Sequence, residues 1–199
     1  MTFTEFKQVV MGEFLSSYPD QEPAGSPIGS AQADAIWDRL QSLVLTGRLI
    51  YDRATEVTLV TSTSSVNLAA EDPPIGEVES ARNGTSPLRQ ADGAFLMQLD
   101  SDTDGLIEFW TQPNQGTLLF WRSPSTDTDI TLECFIGLPV AVKTTGEIPL
   151  PEDTLLLLAS CICHRMARRA DPNMKAMAER GYGIAKARAL TNRLRVRLK

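Results

Sequence analysis

Histidine is nearly absent: His164 is the only one in 199 residues. No Gly-x-Ser-x-Gly elbow, phosphate-binding loop or dinucleotide fingerprint occurs either, which removes the common hydrolase, nucleotidase and dehydrogenase classes. The cysteines are three, Cys134, Cys161 and Cys163. An odd number gives no disulfide framework and suits a reducing compartment. The longest apolar stretch, Leu155 to Cys163, falls well short of the roughly 18 residues of a membrane-spanning helix. No basic segment followed by an apolar core and a small-residue cleavage site opens the chain, so the expectation is a protein made and kept in a cytoplasm. With acid–base groups this scarce, the expectation is a structural protein, not an enzyme.

Charge is also missing, one sign at a time. Residues 165–199 hold eleven Lys/Arg and two acids, Asp171 and Glu179, a balance of +9. The other 164 residues hold eight basic and twenty-three acidic side chains, a balance of -15. An acidic body with a basic C-terminal segment favours head-to-tail association of copies or docking on an acidic partner.

What is present is a change of period along the chain. Thr2 to Glu5 has capping-box form, and Phe3, Phe6, Val10 and Phe14 recur at helical spacing. Ser30 opens a second helix with Ile36, Trp37, Leu40, Leu43 and Val44 on one face, stopped by Gly47. From Leu49 the period becomes two. Strands are expected over 56–61, 75–82, 86–90, 106–112, 117–122 and 129–137, with Asn83-Gly84 as a hairpin turn. Leu150-Pro151-Glu152-Asp153 then opens an apolar helix, Asp171-Pro172 breaks it, and a last helix carries Met174, Met177, Gly181 and Ile184. The expected fold is therefore α+β, with terminal helices flanking a central antiparallel β-region. Its parts are 1–52 helical, 53–149 β-rich, 150–190 a helical pair, and 191–199 an extended basic arm. In that arm Leu194, Val196 and Leu198 alternate with Arg193, Arg195, Arg197 and Lys199, which in extended backbone separates an apolar from a basic face.

Two constellations invite metal chemistry. Cys161, Cys163, His164 and Cys134 have the atom types for zinc, but the spacing is poor and Cys163 is expected to point away from the Cys161/His164 face. Buried core cysteines are the expectation, with no cofactor. Asp100, Asp102, Asp104, Gly105 and Glu108 match the first nine positions of a calcium loop. Position twelve is Thr111 where a bidentate Glu is needed, and the flanks read as strands, so an acidic turn is expected.

The order of the pieces resembles the head-to-tail adaptor (connector) proteins of tailed bacteriophages, particularly the short-tailed podovirus type. The segments Asp104–Trp121, Asp129–Val140 and, above all, Ile148–Arg195 carry the likeness: Leu150-Pro151-Glu152, a helix, the Asp171-Pro172 break, and a helix rich in alanine and arginine. The resemblance implies a ring of about twelve copies at the head–tail junction of the virion, assembled in the host cytoplasm. It implies a portal above, a tail nozzle or tail tube protein below, and genomic DNA passing through a central channel without specific binding. The expected docking residues are Arg188 and Arg193 to Lys199. The alternative is a nucleic-acid-binding module using the same basic arm, against which stand its lack of interleaved aromatics and the acidic body.

Overall fold

The computed structural model describes residues 1–21, 30–92, 94, 105–144 and 146–197. The chain forms two compact units, Met1–Ile50 with Leu138–Lys199, and Tyr51–Gly137. The fold is mixed α+β, with helices from both ends of the chain and β-sheets between them.

In the helical unit, α1 (Phe3–Ser17) starts as its sequence dictates. Thr2 Oγ1 accepts from the Glu5 amide at 3.3 Å while the Glu5 carboxylate accepts from the Thr2 amide at 2.7 Å, a reciprocal cap that satisfies two orphan donors. Phe3, Phe6, Val10 and Phe14 are its buried face. Next, α2 (Ser30–Gly47) buries Ile36, Trp37, Leu40, Leu43 and Val44. A Cβ on Gly47 would stand 2.9 Å from the Tyr182 hydroxyl, so only glycine allows that approach. The short helix α3 (Val140–Thr144) had no signal in the sequence. The Gln41 side chain holds the chain just before it, accepting from the Leu138 amide at 2.7 Å and donating to its carbonyl at 2.5 Å. Then come α4 (Glu152–Met166) and α5 (Pro172–Arg197). Helix α4 packs against α1, α2 and α5, and Leu155, Leu158, Ala159, Ile162 and Met166 join the aromatic side chains of α1 and α2 in one core.

The second unit holds eight strands in two four-stranded sheets: β1 (Ile50–Leu59), β2 (Ser65–Asn67), β3 (Ile75–Asn83), β4 (Ser86–Pro87), β5 (Arg89–Gln90), β6 (Phe109–Asn114), β7 (Thr117–Phe120) and β8 (Thr128–Ile136). Their orders are β1-β8-β3-β4 and β2-β7-β6-β5. Alternate residues of β8, Ile130, Leu132 and Cys134, are buried, the period-two signature of a strand with one face on the core. They meet Val57, Leu59, Val78, Trp110, Leu118 and Phe120, so both sheets share one core. The Gln112 side chain accepts from the Val78 amide at 2.9 Å and donates to the Gly76 carbonyl at 2.5 Å, fastening β6 to β3. Asn83 pairs with Ser86 across the turn at Gly84, whose φ of 59° is the left-handed region glycine favours.

Three details correct the sequence reading. The β5–β6 pair is parallel, whereas β2–β7, β3–β4, β3–β8 and β6–β7 are antiparallel. The strand expected over 56–61 begins at Ile50 and ends at Leu59. Residues 191–197, expected as an extended arm, continue α5 to Arg197. A helix already anchored upstream extends at the gain of one hydrogen bond per residue, without a new nucleus, and Leu and Arg are good helix formers. Alternation over seven residues does not outweigh that. Leu198 and Lys199 lie outside the described residues.

Truncating a fully buried α1 aromatic should be far more damaging than truncating an exposed neighbour. Phe6→Ala is expected to cost about 3–5 kcal/mol, against about 0.5 kcal/mol or less for Leu15→Ala, an exposed position. Urea unfolding of both variants measures the difference, and equal losses would refute the assignment of Phe6 to the core.

Candidate assembly surface and the buried histidine

Helices α4 and α5 run antiparallel, and three contacts along their length set the register. At one end Arg165 grips Glu179 through two bonds, Nε at 2.7 Å and Nη2 at 2.9 Å. In the middle, a Cβ on Gly181 would meet Leu157 Cδ2 at 3.1 Å. At the other end Arg188 pairs with Asp153 in the first turn of α4, where a carboxylate also suits the helix dipole. Tyr182 is the anchor between them. Its hydroxyl donates to the Leu43 carbonyl at 2.9 Å, and the Arg165 and Lys186 cations stand 5.6 and 5.1 Å from its ring centre, within cation–π range.

The face α5 buries is made of Ala178, Gly181, Tyr182 and Ala185. Sequence spacing had put Met174, Met177, Gly181 and Ile184 on one stripe. The structure splits that stripe, because Gly181 turns inward while Met177 and Ile184 are 70% and 50% exposed and Met174 and Leu190 are exposed with them. Small residues at three-to-four spacing were the overlooked signal, since they let two helix backbones approach closely. Arg180 and Arg188 are exposed along the same helix. The outcome is a helix whose outward side is both apolar and basic, and which runs on from Ala189 to Arg197 after its ion pair with the first turn of α4. Of the expected docking residues, Arg188 is tied to Asp153 within the chain, Arg193 is half-buried, and Leu194, Arg195, Val196 and Arg197 lie on the helical backbone.

His164 is buried, and it faces α1. Its Nδ1 is 2.6 Å from the Tyr18 hydroxyl and its Nε2 is 3.6 Å from Glu13 Oε1. Ser160 Oγ donates to the same Glu13 oxygen at 2.8 Å. The zinc set read from the sequence does not assemble as such. Cys134 belongs to the β unit's core, and Cys161 points to α5, its Sγ 3.9 Å from Glu179. Cys163, expected to point away from His164, instead lies beside it with Glu13. Sequence reasoning missed Glu13, which a helical reading of α1 could only have placed on its polar side. Burial pushes all three thiols up, Cys134 and Cys161 to about 11 and Cys163 to about 12. Glu13 adds to the effect at Cys163. Neutral thiols are weak nucleophiles.

A profile of the SU10 adaptor protein matches residues 1–198. The chain belongs to the SU10 adaptor protein family. This is a family of bacteriophage head-to-tail adaptors named for a podovirus. We found no match to the chain among curated proteins.

In this adaptor, no helix of the described residues is long and apolar enough to cross a membrane. Asp100, Asp102 and Asp104 of the calcium-like loop lie outside the described residues. Glu108 is exposed just before β6, and its carbonyl accepts from the Arg89 amide at 2.8 Å. That bond continues the β5–β6 pairing.

The Arg165–Glu179 pair gives the adaptor a pH signature. The hydrogen bonds from Arg165 hold the Glu179 carboxyl below the usual carboxylate range. A depressed folded value means that the contribution is present above the unfolded pKa, about 4.3, and is lost as pH falls through the folded value. Both side chains are more than a third exposed, so the contribution is at most about 1 kcal/mol. Glu179→Gln should flatten the fall in melting temperature below about pH 5. Parallel pH curves for the two proteins would contradict it.

Proposed function

We propose that the protein is the ring-forming adaptor between the portal and the tail of a short-tailed bacteriophage, residing at the head–tail junction of the virion. About twelve copies would close a cyclic assembly around a channel through which genomic DNA passes. Above it sits the portal, and below it a tail nozzle or tail tube protein. Full-length membership of the adaptor family carries this reading. The surface of α5 supports it, since an exposed helix side that is apolar and basic together is fit for a protein partner with an acidic, apolar groove.

The docking element we assign to α5 and its continuation comprises Arg188, Arg193, Leu194, Arg195, Val196, Arg197, Leu198 and Lys199. Here Arg188 acts from inside, fixing the helix on Asp153 so that the following residues are presented at a set height. The acidic remainder, at -15, suits a duct that must let DNA slide, because a wall of that sign does not neutralise phosphates.

Deleting residues 191–199 should leave the circular dichroism and melting temperature of the protein close to wild type, since Arg165, Gly181, Tyr182 and Arg188 all precede the cut. Docking on isolated portal rings should be abolished, and infectious yield should collapse. Normal particle yield with the truncated protein would overturn the assignment of the docking element.

A further inference from the structure

Glu13, Cys163 and His164 form, among the described residues, the single group of three or more side chains able to hold a metal ion. Their ligand atoms all lie within 4.8 Å of one another. We propose that they are a binding site for a zinc-class ion, which clamps α1 to α4.

Two features distinguish this cluster from an ordinary buried hydrogen-bond network. The first is the 3.6 Å separation of His164 Nε2 and Glu13 Oε1. That is too long for a hydrogen bond, yet close to the edge of a tetrahedral zinc site, about 3.3 Å for bonds of about 2.0 Å. The second is the support around the ligands. With Nε2 turned to a metal, Nδ1 carries the ring proton and donates it to the Tyr18 hydroxyl 2.6 Å away, the outer contact that fixes the tautomer of a ligating histidine. Ser160 Oγ, donating to Glu13 Oε1 at 2.8 Å, orients the carboxylate in the same way. Cys163 and His164 lie three and four residues after Ser160 along α4, the spacings that bring each of them to the side of the helix that carries Ser160.

Charge and softness select the ion. A thiolate with an imidazole favours zinc over magnesium or calcium. One thiolate and one carboxylate neutralise a divalent cation, so the occupied site carries no net charge into a buried position. Binding releases the Cys163 thiol proton to solvent, and the new sulfur–metal bond takes the electron pair of the former S–H bond. Three protein ligands leave the fourth position to water, and the Glu13 side chain, 30% exposed, marks the side from which water enters.

The test uses the full-length protein, reduced, stripped with chelator and titrated with cobalt(II) and then zinc. Expected are one ion per chain, a thiolate-to-cobalt charge-transfer band that zinc displaces, and a melting temperature raised by zinc. Cys163→Ser should remove the band, and Glu13→Gln should weaken binding at least about tenfold. Cys161→Ser, equally buried but outside the group, should bind as wild type. Glu13→Gln, at a partly exposed position, keeps the test sound should Cys163→Ser fail to fold. Absence of the band and of any zinc-dependent rise in melting temperature in the wild type would overturn the proposal, as would loss of binding in Cys161→Ser.

Discussion

Nine of the fifteen residues of α4 are buried, and a helix enclosed to that degree dictates what can surround it. It must be apolar on nearly all sides, which is why Leu155, Leu158, Ala159 and Ile162 stand together in the sequence. It must also receive other helices at close range. Helix α1 brings its phenylalanines, α2 its Trp37 and leucines, and α5 a strip of Ala178, Gly181 and Ala185 that lets it lie against Leu157. Once α4 is covered in this way, the larger apolar groups of α5 have no place inside. Met177 and Ile184 are left facing out.

That displacement leaves the apolar and basic helix side on which our proposed docking rests. A helix can bury a narrow stripe of small residues and still be held firmly if its ends are pinned, here by the Arg165–Glu179 and Arg188–Asp153 pairs and by Tyr182 between them. Exposed ion pairs contribute little energy each; what they supply is register. The basic residues that skew the charge of the last 35 positions are thus divided between two tasks. Arg165 and Arg188 orient the helix, and the docking role we propose falls to the segment that follows Arg188.

Much of the architecture was legible in the sequence where periodicity was long and its ends were marked. The capping box at Thr2, the α2 face ending at Gly47, the Asn83-Gly84 turn and the Asp171-Pro172 break all mark real element boundaries. Legibility failed where the deciding contact was tertiary. Nothing local shows that Gln41 will bond both backbone groups of Leu138, or that two residues at Arg89-Gln90 will pair in parallel with β6. The tail misled for a different reason. Its alternation of leucine or valine with arginine is real, but a helix already under way at Ala185 continues to Arg197. The histidine cluster was half legible. The residue types on α4 were visible, while Glu13 joins them only because α1 lies across α4.

The central claim is that this chain is an adaptor that assembles on a portal. Native mass measurement of the purified protein mixed with portal rings tests it most directly. The account predicts a discrete complex of many adaptor copies on each ring, about twelve by matching cyclic symmetry, and its dissociation at high salt as the basic helix is screened. A protein that stays monomeric beside intact portal rings and instead binds duplex DNA with steep salt dependence would contradict the claim.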